Sequence, residues 1–401
     1  MRIVIASLQY HPDAPSGSAR LAFDEATYLA GLGHEVWLVA RDGSGRQPEY
    51  EEKDGLRLLR YPPVILHGAD PRRSSVHQDQ TKRLLEKYLP VAPDCLHGHT
   101  LLQYAGALSL YGGQVRTCYS IHSPAQLELL AGGVGAGWGQ KLRLYPRAAA
   151  LHFLERHCLK RTVSVTAFSM FTRSLICKLH GAGMAERVQV INGWADLAQF
   201  SVPPEREASR ALLGWPTDVP VLLTVRRLVP RMGLDRLIQA LHGVHAAGRR
   251  FHLVVAGDGP LKGTLQTLVR DLGLESCVRF AGTVDEDTLS RMYGAADAFV
   301  LPTSSLECFG LIAVEALASG SPVLATPTGA IPEVLGEIEP KWLARDNSPE
   351  AIRDLVTQFL DGSLPRHPPE DLRAYVERRF SRTDRVAELA AAALGTRSST
   401  P

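Results

Sequence analysis

Several features that mark specialised proteins are scarce in this 401-residue sequence. The formal net charge is only +2, which gives no electrostatic argument for a nucleic-acid partner. No apolar run approaches the length needed to cross a bilayer. The six cysteines include no CxxC pair, so we expect buried free thiols in a reducing, cytoplasmic environment. The apolar start, MRIVIASLQY, is too short for a signal peptide and is predicted to be a buried first strand.

Short β-rich segments alternate with amphipathic helical segments along the chain. This alternation predicts an α/β fold in which helices cover parallel sheets. The expected strands are 2–7, 35–41, 56–61, 95–99, 117–122, 162–168, 188–191, 221–227, 253–257, 278–281, 298–301 and 322–326.

The alternation restarts beyond a polar, proline-containing stretch at 195–206, which we interpret as a linker. We therefore expect two Rossmann-like domains, at 1–194 and 195–375, whose parallel sheets face a central cleft. Residues 376–401 are expected to form a helix that returns to the first domain, followed by a frayed tail. Ligands of such sheets bind beyond the carboxyl ends of the strands, so site residues are expected there.

The segment PTSSLECFGLIAVE at 302–315 follows one expected strand and carries two glutamates. Glu307 lies in a loop, and Glu315 lies in the next helix. Free N–H groups at a helix start favour an anion. A carboxylate beside them can accept hydrogen bonds from sugar hydroxyls, each worth roughly 1.5–3 kcal/mol. The pair predicts a nucleotide-sugar site, and the alternative is an acidic residue favoured by the helix dipole alone.

The two glutamates, followed by ASGSPV at 318–323, resemble the signature of retaining glycosyltransferases of the GT-B fold, family 4. The similarity extends over nearly the whole chain. The resemblance implies that Glu307 contacts donor-sugar hydroxyls and that Glu315 contacts the ribose. It also implies that the backbone N–H groups of Phe309, Gly310 and Leu311 bind the diphosphate or the sugar.

An arginine-rich segment, TVRRLVPRMG at 224–233, resembles the family's G-R-L-x-x-x-K-G segment, which clamps the diphosphate. Arg227 matches the family arginine, and fixed cations there would stabilise the leaving group as its charge grows. However, Met232 stands at the lysine position and Arg226 at the glycine position. We expect Arg226, Arg227 or Arg231 to replace the missing cation. The alternative is a weakened or inactive donor site.

Two histidines end expected strands. His122 resembles the family's histidine near the donor sugar and the acceptor, and we predict a catalytic role for it. His99 matches another histidine of the family and is predicted to bind the acceptor, with a packing role as the alternative. His97 is expected to point to the opposite face of the strand and to be structural.

The loop QYHPDAPSGS at 9–18 resembles the family's acceptor and phosphate loop. Gly17 would let the backbone approach a phosphate, Ser16 would contact the acceptor, and Ser18 is expected to cap the next helix. Val284, after the strand expected at 278–281, lies where such enzymes place the nucleobase.

Three other segments are expected to have structural roles. Asp285-Glu-Asp287 has the look of a metal-binding motif but opens an expected helix, so no metal site is expected. Trp194 is expected to pack the domain crossing. The segment 141–161 carries six Lys or Arg residues and could lie on an anionic inner membrane face, although a plain helix with a solvated basic side is the simpler interpretation.

The resemblance implies a retaining, metal-independent glycosyltransferase that needs no cofactor besides its nucleotide-sugar. UDP is the commonest donor nucleotide among such enzymes. The acceptor would be a hydroxyl group in natural-product, glycan or glycolipid biosynthesis. Two alternatives remain: a sugar-nucleotide epimerase of the same fold, and a weakly active or non-catalytic nucleotide-sugar-binding subunit.

Overall fold

The computed structural model describes residues 1–11, 13, 16–63, 73–132 and 138–396. The chain divides into two compact units. The first comprises Met1–Gly193 and Thr383–Pro401, and the second comprises Trp194–Arg382.

The second unit ends later than the range 195–375 expected for it. It runs on to Arg382 because residue 375 lies inside the helix Pro369–Phe380. A β-bridge between Ala195 and Ser381 also ties this end of the chain to the start of the unit.

The first unit alternates strands with helices. Its strands are β1 (Arg2–Ala6), β2 (Glu35–Arg41), β3 (Tyr50–Lys53), β4 (Leu56–Tyr61), β5 (Cys95–Gly98), β6 (Arg116–Ile121), β7 (Ser164–Ala167) and β8 (Val188–Val190). The helices before residue 194 are α1 (Gly17–Gly31), α2 (Arg73–Tyr88), α3 (Leu101–Tyr111), α4 (Ala125–Gly132), α5 (Trp138–Arg161), α6 (Met170–His180) and α7 (Ala182–Ala185).

The sheet of the first unit has the strand order β3-β4-β2-β1-β5-β6-β7-β8. The strands pair in parallel, except that β3 runs antiparallel to β4. Both faces of the sheet are buried, because Val4 packs into one apolar cluster and its neighbours Ile3 and Ile5 pack into another. Strand β3 was not predicted, since its four residues, YEEK, are mostly polar and lie at the sheet edge.

The second unit repeats the arrangement on a smaller scale. Its strands are β9 (Val221–Val225), β10 (His252–Ala256), β11 (Val278–Gly282), β12 (Ala298–Leu301) and β13 (Val323–Ala325). Its helices are α8 (Arg206–Leu213), α9 (Leu234–Ala246), α10 (Lys262–Asp271), α11 (Glu286–Ala295), α12 (Leu311–Ala318), α13 (Ile331–Leu335), α14 (Pro349–Leu360) and α15 (Pro369–Phe380). The order β11-β10-β9-β12-β13 is parallel throughout.

The last helix, α16 (Arg382–Leu394), packs on the first unit. Ala390 and Ala393 lie in the same apolar cluster as residues of β1 and β2. The carbonyl oxygen of Ala393 accepts a hydrogen bond from Arg116 Nε at 2.8 Å and contacts Cys95 Sγ at 3.5 Å. Through these contacts the end of the chain becomes part of the first core.

Every strand expected from the sequence is present, with ends shifted by at most two residues. The cysteines are free, and all are buried except Cys177, which is exposed contrary to expectation. Trp194 is 2% exposed, as its expected packing role requires. None of the helices in the described ranges is long and apolar enough to cross a membrane.

Candidate active site

The loop between β12 and α12 is held by the backbone of two neighbouring loops. The N–H group of Ser304 donates to the carbonyl of Arg231 at 2.9 Å. On the other side, the N–H group of Ala330 donates to the carbonyl of Glu307 at 2.8 Å. The loop therefore has a fixed course at the carboxyl edge of the sheet, where parallel α/β folds bind ligands.

Two glycines permit this close approach. Gly233 has a φ of +69°, and a Cβ atom there would lie 1.9 Å from the carbonyl oxygen of Pro302. Gly329 has a φ of +68°, and its Cβ atom would lie 2.0 Å from the carbonyl oxygen of Glu307. Leu306, just before Glu307, has a φ of +55°, a strained conformation for a residue with a branched side chain. Such strain is found at sites where a side chain must be aimed.

Glu307 is held by a buried arginine and a threonine. Its Oε2 atom accepts hydrogen bonds from Arg226 Nη2 at 2.7 Å and from Thr303 Oγ1 at 3.1 Å. Arg226 Nη2 also lies 2.6 Å from Thr303 Oγ1. The side chains of Arg226 and Glu307 are only 5% and 14% exposed, so each offsets the cost of burying the other's charge. Within the described residues, Glu307 Oε1 makes no hydrogen bond and is left to accept one from a ligand.

Arg226 also lies beside the unusual methionine of this segment. Its Nη2 atom is 2.7 Å from Met232 Sδ. Its Nε atom is buried and has no hydrogen-bond partner among the residues that the structure describes. Arg226 thus places a guanidinium next to the position of the family lysine and still has a donor to spare.

The other two arginines of the segment differ in their surroundings. Arg227 is exposed and makes no side-chain hydrogen bond or ion pair with any described residue. Arg231 Nη1 donates to the carbonyl of Leu306 at 3.0 Å and so supports the loop that carries Glu307. Only Arg227 of these two has its whole guanidinium available to a ligand.

Helix α12 begins at the end of the same loop. Its N-cap, Gly310, has a φ of +91°, and Phe309 before it is 8% exposed. The N–H group of Leu311 donates no hydrogen bond within the described chain and can serve an anion. One turn further along, Glu315 is 7% exposed and accepts a hydrogen bond from Tyr293 at 3.1 Å.

The turn between β11 and α11 contains Val284, which is half-buried. Asp285 is the N-cap of α11, and its Oδ1 accepts the N–H of Thr288 at 2.7 Å. These backbone and side-chain contacts hold the pKa of Asp285 below its ordinary value. The helix-start interpretation of the acidic motif is therefore confirmed.

The first unit brings together a carboxylate and three imidazoles at the carboxyl ends of β5 and β6. Glu25, from α1, contacts His97 Nδ1 through Oε1 and His99 Nε2 through Oε2, both at 2.7 Å. His99 Nδ1 lies 3.0 Å from His122 Nε2. His97 Nε2 lies 2.8 Å from Ser120 Oγ. The prediction that His97 points to the opposite face was wrong, because side chains two residues apart lie on the same side of an extended chain.

The protonation of this cluster follows from its burial and its charges. Burial would raise the pKa of Glu25, but His97 and His99 outweigh it and lower that pKa to about 2. Burial would lower the pKa of His97, but Cys118 and Glu25 raise it to about 10. Burial and the charge of His97 lower the pKa of His99. Burial, with His99 and His97, lowers the pKa of His122 well below its ordinary value.

Glu25, His97 and His99 are also close enough to share a metal ion, with one ligand atom of each within 4.8 Å of the others. No motif in the sequence predicted this group. The atoms in contact are only 2.7 Å apart, however, whereas two ligand atoms on a tetrahedral zinc ion are separated by about 3.3 Å. A metal ion would fit only after these hydrogen bonds opened.

The start of α1 differs from its prediction. Ser16, rather than Ser18, is the N-cap, and its side chain accepts the N–H of Ala19 at 3.2 Å. Gly17 is the exposed first residue of the helix. The helix starts before Ser18 because Ser16 has the extended backbone that a cap requires. Residues 12, 14 and 15 of the predicted phosphate loop lie outside the described residues.

A cavity of about 630 Å³ lies at the opposite edge of the second sheet, before strands β9, β12 and β13. Arg206, Arg210 and Asp297 line it, and both arginines pair with Asp297. Parallel α/β sheets place their ligands at the carboxyl edge, so we assign the candidate site to the edge that carries Glu307.

Comparison with known proteins identifies the family. The model of "Glycosyltransferase Family 4" matches residues 15–199, and that of "Glycosyl transferases group 1" matches residues 205–379. The D-inositol 3-phosphate glycosyltransferase 2 of Catenulispora acidiphila is 34% identical over 348 residues, covering 83% of this chain and 79% of that protein. The chain belongs to the family 4 glycosyltransferases.

Solved structures show the fold of this glycosyltransferase. Sucrose-phosphate synthase from Thermosynechococcus elongatus matches with a TM-score of 0.81 at 20% identity, over 97% of both chains. The Anabaena HepE structure in complex with UDP and glucose matches with a TM-score of 0.72 at 18% identity, over 97% of this chain and 98% of that one. The enzyme thus has the GT-B fold with two Rossmann-like domains, and the family, fold and enzyme class expected from its sequence are confirmed.

Two contributors to these clusters were missed in the sequence of this glycosyltransferase. Thr303 follows β12 directly, so its position at a strand end could have drawn attention to it. Glu25 is 0% exposed in the structure, and the available signal in the sequence was a carboxylate on the apolar face of an amphipathic helix. Buried carboxylates need a partner, but the sequence did not name the partner.

Proposed function

We propose that this glycosyltransferase moves a sugar from a UDP-sugar to a hydroxyl group of an acceptor, with retention of anomeric configuration and without a metal ion or other cofactor. The observation that carries the proposal is Glu307, held by Arg226 and Thr303 beside the start of α12. The HepE structure, which contains UDP and glucose, supports UDP as the nucleotide. The acceptor would belong to natural-product, glycan or glycolipid biosynthesis.

The site must stabilise the negative charge that develops on the leaving diphosphate. We assign Arg227, which is exposed and unpaired within the described residues, to the diphosphate. Arg226, beside Met232, would supply the charge that the family lysine supplies elsewhere. Fixed cations stabilise a leaving group more as its negative charge grows. Arg231 would contribute by shaping the loop and by adding positive potential.

Glu307 would accept hydrogen bonds from donor-sugar hydroxyls rather than attack the sugar. Its Oε2 atom already holds Arg226 and Thr303, which lowers its nucleophilicity, while Oε1 is available. Glu315 would accept hydrogen bonds from the ribose. The remaining donor contacts that we propose come from Val284 to the nucleobase and from the backbone of Phe309, Gly310 and Leu311 to the diphosphate or the sugar.

In the reaction, the bond between the sugar and the diphosphate would break while the acceptor oxygen bonds to the same face of the sugar. A diphosphate oxygen would take the proton of the acceptor hydroxyl. We assign His122 to the donor sugar, where it would stabilise the positively charged transition state. His99 and Ser16 would contact the acceptor, and Gly17 would contact a phosphate.

Helix α5 supports a proposal on location, namely a cytoplasmic enzyme that touches the inner membrane face. Tyr145 and Phe153 are 61% and 68% exposed on this helix, and Arg156 and Lys160 are exposed as well. At 100° per residue, these four side chains fall within about 80° of one another around the helix axis. A face with aromatic and basic residues suits an anionic lipid surface. The side chains of residues 138–143 lie outside the described part of the chain.

Slow hydrolysis of the donor tests this function without knowledge of the acceptor, because water then takes the acceptor's place. UDP-, GDP- and dTDP-sugars are incubated with the enzyme, and the first sugar released is identified by proton NMR. We expect turnover of a UDP-sugar, release of the anomer that the donor carries, and the same rate with excess EDTA. Release of the opposite anomer or loss of activity in EDTA would contradict the mechanism. A new sugar nucleotide would identify an epimerase instead.

A further inference from the structure

Four side chains form a hydrogen-bonded row in the first unit. In order, they are His97, Glu25, His99 and His122. We infer that Glu25 and His99 are positioning residues that fix the tautomer of His122, so that its Nδ1 atom is a hydrogen-bond acceptor for the substrate. The inference rests on the proposed function only in assigning His122 to the donor sugar.

The residues that determine the positions of the protons in this row are buried. Glu25 and His97 are 0% exposed and His99 is 2% exposed, whereas His122 is half-buried. In such surroundings water does not compete for the hydrogen bonds, and each polar atom must be satisfied by its neighbour. The arrangement of protons is therefore set by the side chains themselves.

Counting protons along the row gives one solution for neutral rings of His99 and His122. The ionised Glu25 can only accept hydrogen bonds, so His99 must carry its proton on Nε2. The Nδ1 atom of His99 then has a lone pair and accepts the Nε2–H of His122 across 3.0 Å. Consequently Nδ1 of His122 has no proton. The lowered pKa values of His99 and His122 support the neutral rings that this count assumes.

His97 explains how a carboxylate stays ionised in this position. Its raised pKa favours the imidazolium form, which can donate from Nδ1 to Glu25 at 2.7 Å and from Nε2 to Ser120 at 2.8 Å. The charge of Glu25 is thereby balanced inside the row, and its second oxygen remains an acceptor for His99. A neutral Glu25 could donate a proton to His99 and reverse the whole row.

The ring of His122 is also held in orientation. Its centroid lies 4.5 Å from that of Phe168 and 5.3 Å from that of His99. With Nε2 committed to His99, only Nδ1 is left, and it makes no hydrogen bond within the described residues. A lone pair there accepts a sugar hydroxyl and favours a positively charged sugar, whereas a proton there would repel it.

Nitrogen-15 NMR of the full-length protein with labelled histidine tests the inference. The spectrum of His122→Asn assigns the His122 signals. In the wild type at neutral pH, we expect a protonated Nε2 and an unprotonated Nδ1. In His99→Phe, the signals should shift toward a mixture of tautomers. The kcat of donor hydrolysis should then fall at least about tenfold while KM changes less than about twofold.

Two further variants keep the test decisive. Glu25→Gln, which preserves shape, should move the His122 proton to Nδ1 even if His99→Phe fails to fold, because its amide can donate to His99. Tyr104→Phe is the matched control, since it removes another buried hydrogen bond of the first unit, to Thr162 at 2.7 Å. This control should leave both the tautomer and kcat unchanged.

Three results would overturn the inference. They are a proton on Nδ1 of His122 in the wild type, an unchanged tautomer in both His99→Phe and Glu25→Gln, and a stoichiometric metal ion whose chelation shifts the histidine signals. Failure of the proposed function is distinguishable from these, because it would appear as absent donor hydrolysis with the expected tautomer in place.

Discussion

At the scale of single residues, the proposed donor site departs from the family motif at two positions. Met232 stands at the position of the motif's lysine, and Arg226 stands at the position of its glycine. In the structure Arg226 Nη2 lies 2.7 Å from Met232 Sδ and 2.7 Å from Glu307 Oε2. We infer that the two departures compensate each other. A cation is still present beside Glu307, but Arg226 supplies it from the glycine position of the motif and not from the lysine position.

Exchanging the two residues tests this compensation. Arg226→Gly alone should weaken kcat/KM for donor hydrolysis by roughly tenfold to a hundredfold, because a hydrogen bond to a charged group is worth about 1.5–3 kcal/mol. The double variant Arg226→Gly with Met232→Lys, which restores the family pattern, should recover to within about threefold of the wild type. Steady-state kinetics with the preferred UDP-sugar measures both.

Arg250→Ala serves as the control, because Arg250 is an exposed arginine of the same unit that pairs with Asp218 at 2.5 Å. Exposed pairs of this kind contribute little, so its kinetics should match the wild type. Equal activity of the single and the double exchange variants would show that Arg226 does not stand in for the lysine.

The sequence pattern indicates candidate site residues but not the partners that hold them. Glu307 and the arginine segment were visible because each follows an expected strand. The contact of Arg226 with Thr303 spans 77 positions, and those of Glu25 with His97 and His99 span 72 and 74. Contacts between residues so far apart in the sequence depend on which strands lie side by side in the sheet. A local sequence pattern does not contain this information.

At the scale of elements, local physics predicted most of the fold. Buried parallel strands are apolar and short, and they were recognised throughout. The missed strand β3 is a polar edge strand, which pairs through its backbone rather than through apolar side chains. The predicted start of α1 was wrong because Ser16 and Ser18 are both suitable N-cap residues, and only the backbone geometry distinguishes them.

The exposed face of α5 carries a prediction at this scale. We expect the protein to sediment with vesicles that contain an anionic lipid and not with purely zwitterionic vesicles, and we expect salt to weaken the binding. Arg156→Glu with Lys160→Glu should reduce the bound fraction at least tenfold, since each basic residue near the surface contributes about 1 kcal/mol.

The matched control reverses two charges on the second unit, Arg270→Glu with Arg291→Glu, which gives the same change in net charge. It should bind vesicles like the wild type. Equal loss in both double variants would mean that net charge, and not this face of α5, governs binding. Absence of binding by the wild type would remove the membrane proposal altogether.

At the scale of the whole molecule, the chain is built from two units with parallel sheets, and α16 completes the first of them. The family match extends over both units. We propose that the second unit recognises a nucleotide-sugar, with Glu307 holding the sugar and the arginines holding the diphosphate. Separate binding of UDP and of a UDP-sugar can resolve these two contributions.

The most direct measurement is calorimetric titration of the full-length wild type and of Glu307→Gln with UDP and with the preferred UDP-sugar. Wild type should bind both. Glu307→Gln keeps an oxygen for Arg226 and Thr303, so its UDP affinity should stay within about threefold of the wild type, while its UDP-sugar affinity should fall at least about tenfold. A wild type that binds no nucleotide-sugar, or a Glu307→Gln variant that binds the UDP-sugar unchanged, would contradict this assignment of Glu307 and the arginines.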